Sequence, residues 1–114
     1  CVSVGLFNST IIPPSSFTAS SYFPDYPPHN ARLNNNSNGW TPRIPIDKSP
    51  YLEVDLGDVF YICAIETQGD RISIHEEWTT EYKLQYSVNG NVWQYYRTKN
   101  GTVKVSKLTN QRQS

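Results

Sequence analysis

The side chains with which this sequence could do covalent or metal chemistry are two histidines, two cysteines and many serines. His75-Glu76-Glu77 resembles the start of a zinc-protease helix, but no second histidine stands where such a site requires one. The other histidine, His29, has no His/Cys cluster around it. No serine lies in a Gly-x-Ser-x-Gly sequence, and no glycine-rich loop is present to cradle a phosphate. The sequence therefore predicts no enzyme, no metal site and no cofactor.

Asparagine side chains offer a different chemistry, which is covalent modification. Asn-x-Ser/Thr sequons begin at Asn8, Asn35 and Asn100, and each stands in turn-like sequence from which a glycan could project. Sequons also arise by chance in asparagine-rich sequence. These three favour the secretory pathway and an extracellular or cell-surface location.

Three stretches carry apolar side chains that strand alternation cannot place in a core. Residues 22–29 set aromatics among prolines, while residues 43–48 and 70–75 each hold two isoleucines between polar or proline neighbours. One interpretation is a recognition surface. The alternatives are that the first aromatics fold back to cap the core and that Asp47 is a solvated loop carboxylate.

The element that organises the chain lies between residues 78 and 96. Alternate residues from Trp78 to Val88 are mainly apolar, which is typical of a strand with one buried face. Asn89-Gly90 suits a two-residue type I′ turn, after which a second strand returns. We expect a β-hairpin whose aromatic face packs against a second layer and serves as scaffold.

Two more strands are predicted upstream. Residues 51–56 alternate, and residues 59–67 form an apolar run that suits a strand covered on both faces. Cys63 lies in this run, and we interpret it as a small buried hydrophobic side chain. It could pair with Cys1 only if the N-terminus folded back beside the strand.

Composition narrows the fold class and the partners. The 114 residues predict one domain, and 8 Tyr, 4 Phe, 3 Trp, 8 Pro and 6 Gly favour an all-β fold of short strands and sharp turns. Ten basic residues balance ten acidic ones. This balance argues against nucleic acid as a partner and against a purely electrostatic attachment to anionic lipid.

Six short motifs occur in a characteristic order. They are Thr18-Ala19-Ser20-Ser21, Ala31-Arg32-Leu33-Asn34, Gly39-Trp40-Thr41-Pro42, Tyr51-Leu52-Glu53-Val54-Asp55-Leu56-Gly57, Thr67-Gln68-Gly69 and Tyr82-Lys83-Leu84-Gln85-Tyr86-Ser87-Val88-Asn89-Gly90-Asn91-Val92-Trp93. With these motifs the chain resembles the discoidin, or coagulation factor V/VIII type C, domain family. The resemblance implies a distorted jelly-roll β-sandwich of the galactose-binding-like type. It also implies a non-catalytic extracellular module for recognition or cell adhesion.

In this family the ligand-binding loops lie at one end of the barrel and correspond to the three apolar stretches above. The implied site residues are Tyr22, Phe23, Tyr26, Arg43, Ile44, Ile46, Asp47, Ile72 and Ile74. Lipid-binding members insert apolar tips, whereas members that bind a carboxyl-terminal arginine use a carboxylate, here Asp47, with an aromatic, here Tyr22 or Tyr26. The implied partner is an extracellular protein, a glycan or a phospholipid head group. Zero net charge and modest tips favour protein or glycan slightly.

The carboxyl end departs from the family pattern. The family closes with two further strands and a cysteine that pairs with the first one, and this sequence stops at Ser114 before either. We therefore expect residues 1–114 to be a single domain that is incomplete at its C-terminus, with Cys1 unpaired. A partner chain or a missing segment would cover the open sheet edge. The alternative function is accordingly a structural or oligomerisation domain completed by a partner chain.

One pair of charges is predicted to be structural. Arg32 and Asp55 each flank a core motif, and we expect them to form an ion pair that supports the loops.

Overall fold

The structure, a computed structural model, describes residues 3–6, 8–33, 38–68 and 79–107. Its elements in chain order are a 3₁₀ turn at Pro14–Ser16, β1 Phe17–Ala19, a 3₁₀ turn at Pro28–Ala31, β2 Leu52–Val54, β3 Glu81–Tyr82, β4 Gln85–Tyr86, β5 Gln94–Tyr95 and β6 Ser106–Lys107. Apart from the two 3₁₀ turns, every regular element in these ranges is a β-strand, which confirms the all-β prediction. Neither turn is long or apolar enough to cross a membrane.

The N-terminal sheet pairs β1 with β2, which lies within the strand predicted over residues 51–56. β1 and β2 run antiparallel, with Phe17 opposite Val54 and Ala19 opposite Leu52. The ladder continues at both ends, where Ser20 N–H donates to Tyr51 O at 3.1 Å and the backbone N–H of Asp55 donates to Ser16 O at 2.9 Å. The strand predicted over residues 51–56 is thus confirmed at its centre.

The buried core is small and includes the first residue of β1. Ile12 and Phe17 are 2% and 7% exposed and form the buried hydrophobic set of the described residues. The Arg32 guanidinium lies 4.7 Å from the centroid of the Phe17 ring, and its terminal nitrogens donate to the carbonyls of Leu6 and Ile12. Arg32 therefore joins the backbone of Leu6 and Ile12 to Phe17 in the core through a cation–π contact and two charged hydrogen bonds.

The predicted ion pair between Arg32 and Asp55 is wrong. Arg32 donates to backbone carbonyls, and an Asp55 carboxylate oxygen instead accepts the N–H of Gly57 at 2.8 Å. The physical reason is local: an aspartate can accept an N–H two residues onward and close an Asx turn. Gly57, with φ of 81°, completes that turn.

The hairpin is present, but its turn is not the predicted one. β4 and β5 are antiparallel with Tyr86 opposite Gln94, so residues 87–93 form the connection and a two-residue type I′ turn is excluded. Side-chain oxygens organise this wider loop. Ser87 Oγ accepts the N–H of Gly90 at 2.8 Å, and Asn89 Oδ1 accepts the N–H groups of residues 91 and 92.

The aromatic face of the hairpin is not buried, contrary to the prediction. Tyr86 is 53% exposed, Val88 77% and Trp93 39%, while Tyr82 and Leu84 are half-buried. Trp78 lies outside the described residues. The described elements form three two-stranded sheets, and none of the described elements covers these side chains as the second layer of a sandwich would.

The strand predicted over residues 59–67 is absent. This segment has no regular secondary structure and no ladder pairing, and Val59 and Tyr61 are 67% and 95% exposed. A strand covered on both faces needs a layer packed against each face, and the exposed side chains show that the described residues supply none here. Cys63 is exposed rather than buried, and it is disulfide-bonded. Cys1, the other cysteine of the sequence, lies outside the described residues.

A second reverse turn completes the C-terminal part. Thr98 N–H donates to Thr102 O at 2.8 Å, and Gly101 has φ of 88°. The chain then bridges Arg97 to Val103 and continues into β6, which pairs with β3. The turn-like sequence around Asn100 therefore does form a turn.

Candidate ligand-binding loop end

Two of the predicted loops lie side by side because they flank one strand pair. Loop 1, residues 22–29, follows β1, and loop 2, residues 43–48, precedes β2. Since β1 and β2 are paired antiparallel, both loops leave the sheet at the same end. Backbone bonds strengthen this: Phe23 N–H donates to Thr41 O at 3.1 Å, and Thr41 N–H donates to Tyr26 O at 3.3 Å. We call loops 1 and 2 together the loop end.

Asp47 fastens loop 2 to the end of β1. Its Oδ2 accepts hydroxyl hydrogen bonds from Ser20 and from Ser21, each at 2.5 Å, and its Oδ1 accepts the N–H of Ser49 at 3.2 Å. Each serine hydroxyl also accepts a backbone N–H: Ser20 Oγ accepts that of Tyr51 at 2.9 Å, and Ser21 Oγ accepts that of Arg43 at 3.0 Å. The carboxylate and the two hydroxyls therefore join the end of β1 to both ends of loop 2.

These bonds change the acidity of Asp47. The hydrogen bond from Ser20, then the one from Ser21, lower the pKa of the carboxyl below its ordinary value of 3.8, against a smaller opposing effect of desolvation. The cause is that hydroxyl and N–H donors stabilise the charged form. These hydrogen bonds therefore favour the charged form of Asp47.

Arg43 links the two loops from the other side. Its Nε donates to Tyr22 O at 2.9 Å, its guanidinium carbon lies 5.3 Å from the centroid of the Phe23 ring, and its backbone N–H donates to Ser21 Oγ at 3.0 Å. The cation is thus held against the loop 1 aromatic.

The outermost side chains of loop 2 are aliphatic. Loop 2 closes on itself through the N–H of Asp47, which donates to Arg43 O at 2.7 Å, and this leaves residues 44–46 at the tip. Ile44 is 61% exposed and Ile46 85%. Tyr22 and Phe23 of loop 1 are 45% and 39% exposed, so the loop end presents apolar surface around one held cation.

The structure thus brings most of the predicted site residues together. Those that meet at the loop end are Tyr22, Phe23, Arg43, Ile44, Ile46 and Asp47. Tyr26 is half-buried in loop 1, where its backbone N–H donates to Phe23 O at 2.8 Å. Ile72 and Ile74 lie outside the described residues. No group of His, Cys, Asp and Glu within the described ranges could hold a metal ion.

Two features were not foreseen from the sequence. The first is the pair Ser20 and Ser21, whose role depends on a carboxylate 26 or 27 positions away. The second is an open depression on the hairpin, with a volume of about 620 Å³, which we call the aromatic cleft. Its lining residues are Tyr86, Trp93, Gln94, Tyr95, Tyr96 and Arg97. The density of aromatics was visible, but the sequence indicated that they would be buried.

The sequons occupy different environments. Asn8 is half-buried, and its Oδ1 accepts the Thr10 hydroxyl at 2.6 Å. Asn100 is exposed at the tip of the reverse turn. Asn35 lies outside the described residues. Glycosylation of all three stays a prediction.

Comparison with known proteins gives a consistent result. Residues 16–113 match the family described as F5/8 type C domain. Neuropilin-2 of Rattus norvegicus is 40% identical over 84 residues, which is 70% of this chain and 9% of that protein. Lactadherin of Rattus norvegicus is 37% identical over 111 residues, 90% of this chain and 25% of that protein. Coagulation factor V of Mus musculus is 31% identical over 96 residues, 80% of this chain and 4% of that protein.

Proposed function

The chain belongs to the F5/8 type C, or discoidin, domain family of galactose-binding-like β-sandwiches, and we propose that its loop end binds the surface of a phospholipid membrane. The chain spans about a tenth or less of the neuropilin and factor V relatives, so this proposal concerns the domain and not a whole protein. The proposed mechanism is binding without catalysis, outside the cell.

The observation that carries the proposal is the placement of Ile44 and Ile46. Both are more than half exposed at the tip of a loop whose base Asp47 fastens to β1. Burial of an isoleucine side chain is worth about 1.5 to 3 kcal/mol, and a fixed loop loses less conformational entropy when it inserts. Tyr61 and Val88 are exposed to a similar degree, so it is the fastening of loop 2 together with the exposure of its isoleucines that distinguishes this tip.

The charges that support the membrane proposal are local ones. The chain has no net charge, which gives no long-range attraction to a membrane and by itself favours a protein or glycan, so a polar contact with lipid must come from the loop end. Loop 2 holds two cations, Arg43 beside Phe23 and Tyr22 and the exposed Lys48. The carboxylate of Asp47 in the same loop already accepts hydrogen bonds from Ser20 and Ser21. A cation beside an apolar tip suits the boundary where phosphates meet acyl chains.

The aromatic rings of loop 1 fit the same boundary. Tyr22 and Phe23 are partly exposed beside loop 2, and amphipathic aromatic rings favour the level of the lipid head groups. The proposed arrangement therefore has the isoleucines deepest, the rings at the interface and Arg43 near the phosphates.

Vesicle co-sedimentation tests the proposal. Folded protein should sediment with vesicles of phosphatidylcholine containing phosphatidylserine, and should do so less with phosphatidylcholine alone, because the cations of loop 2 prefer an anionic surface. A folded protein that stays in the supernatant with both kinds of vesicle would remove the membrane proposal.

A second candidate is a structural or oligomerisation role, favoured by the exposed apolar segment 59–65. Val59, Tyr61 and Ile62 in this segment are 67%, 95% and 48% exposed, and contiguous apolar surface of this kind commonly marks an interface with another polypeptide. Light scattering after size exclusion distinguishes the two candidates, since this role predicts a concentration-dependent oligomer and a monomer would count against it.

A further inference from the structure

We propose that Asn100 carries an N-linked glycan and that the sugars nearest the protein cover the aromatic cleft. The inference rests on the extracellular location in the proposed function and is independent of what the loop end binds. It assigns a modification to the reverse turn and an occupant to the cleft.

The amide of Asn100 is oriented for attachment. Its Oδ1 accepts the hydroxyl of Thr98, the N–H of Thr102 at 3.3 Å and the hydroxyl of Thr102 at 2.9 Å. All three donors belong to the turn, so Nδ2, on the other side of the amide carbon, points away from them. A glycan on Nδ2 therefore leaves every one of these hydrogen bonds in place, and Asn100 itself is exposed.

The Asn8 sequon is a useful contrast. Its Oδ1 also accepts from the following threonine, but Asn8 is half-buried. Its backbone is held in a tight turn, with its N–H donating to Gly5 O and its carbonyl accepting from Ile12, each at 2.9 Å. No aromatic cleft adjoins it among the described contacts.

The glycosylated turn and the aromatic cleft are continuous. Arg97 lines the cleft and its NH1 donates to Gly101 O, inside the turn, at 3.0 Å. Tyr96, another lining residue, precedes Thr98 by two positions, about 7 Å along an extended strand, and the hydroxyl of Thr98 donates to the Asn100 amide that would carry the glycan. The first sugars of an N-linked glycan span such a distance.

The cleft offers what the face of a sugar ring requires. Trp93 Nε1 donates to Gly90 O at 3.2 Å, which satisfies the indole N–H. The indole is 39% exposed, and its face is available to a sugar ring. The Tyr86 hydroxyl donates to Gln94 Oε1 at 3.1 Å, so the Gln94 amide nitrogen stays a donor. Pyranose rings have an apolar C–H face that stacks on aromatics and hydroxyl edges that accept from amides and guanidinium groups.

A glycan in this position also resolves a physical difficulty. Tyr86, Tyr95 and Tyr96 are each more than 40% exposed, and an uncovered aromatic surface promotes association between molecules. A bulky, soluble glycan covers such a surface without contributing a strand.

The test uses the full chain secreted from cells that attach N-linked glycans. Intact mass gives occupancy, and hydroxyl-radical footprinting with mass spectrometry gives the exposure of individual side chains. Asn100→Gln should lose the mass of one glycan and increase the oxidation of Trp93 and Tyr96 several-fold. Trp40, whose Nε1 donates to Ser21 O at 3.0 Å near the loop end, should be oxidised equally in both proteins.

Two matched variants complete the experiment. Thr102→Ser keeps the sequon and the hydroxyl, so it should keep both the glycan and the protection of Trp93. Asn8→Gln should leave Trp93 protected whether or not Asn8 is occupied. Vesicle binding measured on the same proteins reports on the loop end separately.

Three results would overturn the inference. An intact mass without sugar at Asn100 removes the modification, and equal oxidation of Trp93 with and without the glycan removes its seat on the cleft. Protection in Asn100→Gln that grows with protein concentration would show that a second copy of the chain covers the cleft instead.

Discussion

Replacing Ile46 by serine separates the affinity of the loop end from the stability of the fold. Ile46 is 85% exposed, so its truncation removes little packing, whereas membrane insertion would bury most of the side chain. Full burial is worth about 2 kcal/mol, which corresponds to about a 30-fold loss of vesicle affinity. If only half of that area enters the bilayer, the loss is about fivefold.

The assay compares vesicle affinity with thermal stability in the same preparations. Lipid is titrated against fixed protein, and unfolding is followed by circular dichroism. Val88→Ser is the matched control: Val88 is 77% exposed and aliphatic, but it lies in the hairpin connection away from the loop end. We expect Ile46→Ser to bind more weakly at unchanged stability, and Val88→Ser to bind as the unmodified protein does.

Two outcomes would refute this reasoning. Unchanged binding by Ile46→Ser would mean that the tip does not enter the membrane. An equal loss in Val88→Ser would mean that exposed apolar area in general, and not the loop end, holds the protein to vesicles.

Three other substitutions, one of them compared with a control, test the framework that carries the loops. The pKa of Asp47 is lowered in the folded state, so its contribution to stability is complete above the ordinary pKa of an aspartate and is lost as the pH falls below about 4. Asp47→Asn should therefore make the stability, followed by circular dichroism, depend less on acid pH. An unaltered acid profile would contradict the role of Asp47 in fastening loop 2. Phe17→Ala should lower the free energy of unfolding in urea by about 3 to 5 kcal/mol, whereas Tyr86→Ala, at a 53% exposed position, should change it far less; equal losses would place the core in the hairpin. Arg32→Lys should cost about 2 kcal/mol in the same urea titration, because an ammonium group lacks the planar fork that reaches both carbonyls, and full retention of stability would show that those bonds contribute nothing.

Local sequence patterns predicted where strands and turns occur better than they predicted which strands pair and in which register. Alternation identified β2, and the Asn89-Gly90 pair placed the hairpin, because both depend on neighbouring residues. The register was missed since the oxygens of Ser87 and Asn89 cap a wider loop. The absence of a strand over residues 59–67 was missed for a different reason, because strand formation there depends on distant neighbours.

The candidate site shows the same division. Pro45 between Ile44 and Ile46, with charged residues on the outer sides, predicted that these side chains would be excluded from strands, and the structure exposes both. The bonds of Asp47 to Ser20 and Ser21 join positions 26 and 27 residues apart, and no local pattern specifies such a pair. The exposure of the hairpin aromatics also escaped prediction, because burial is decided by a second layer and not by the strand itself.

Paramagnetic broadening of methyl signals tests the central claim most directly. The isoleucine methyl groups are labelled, the protein is bound to vesicles that contain a nitroxide lipid, and signal loss is measured residue by residue. If the loop end enters the membrane, we expect the strongest loss at Ile46, a smaller one at Ile44 and none at Ile12, which is 2% exposed in the core. Loss at Ile62 of the exposed segment with Ile46 unaffected would contradict it.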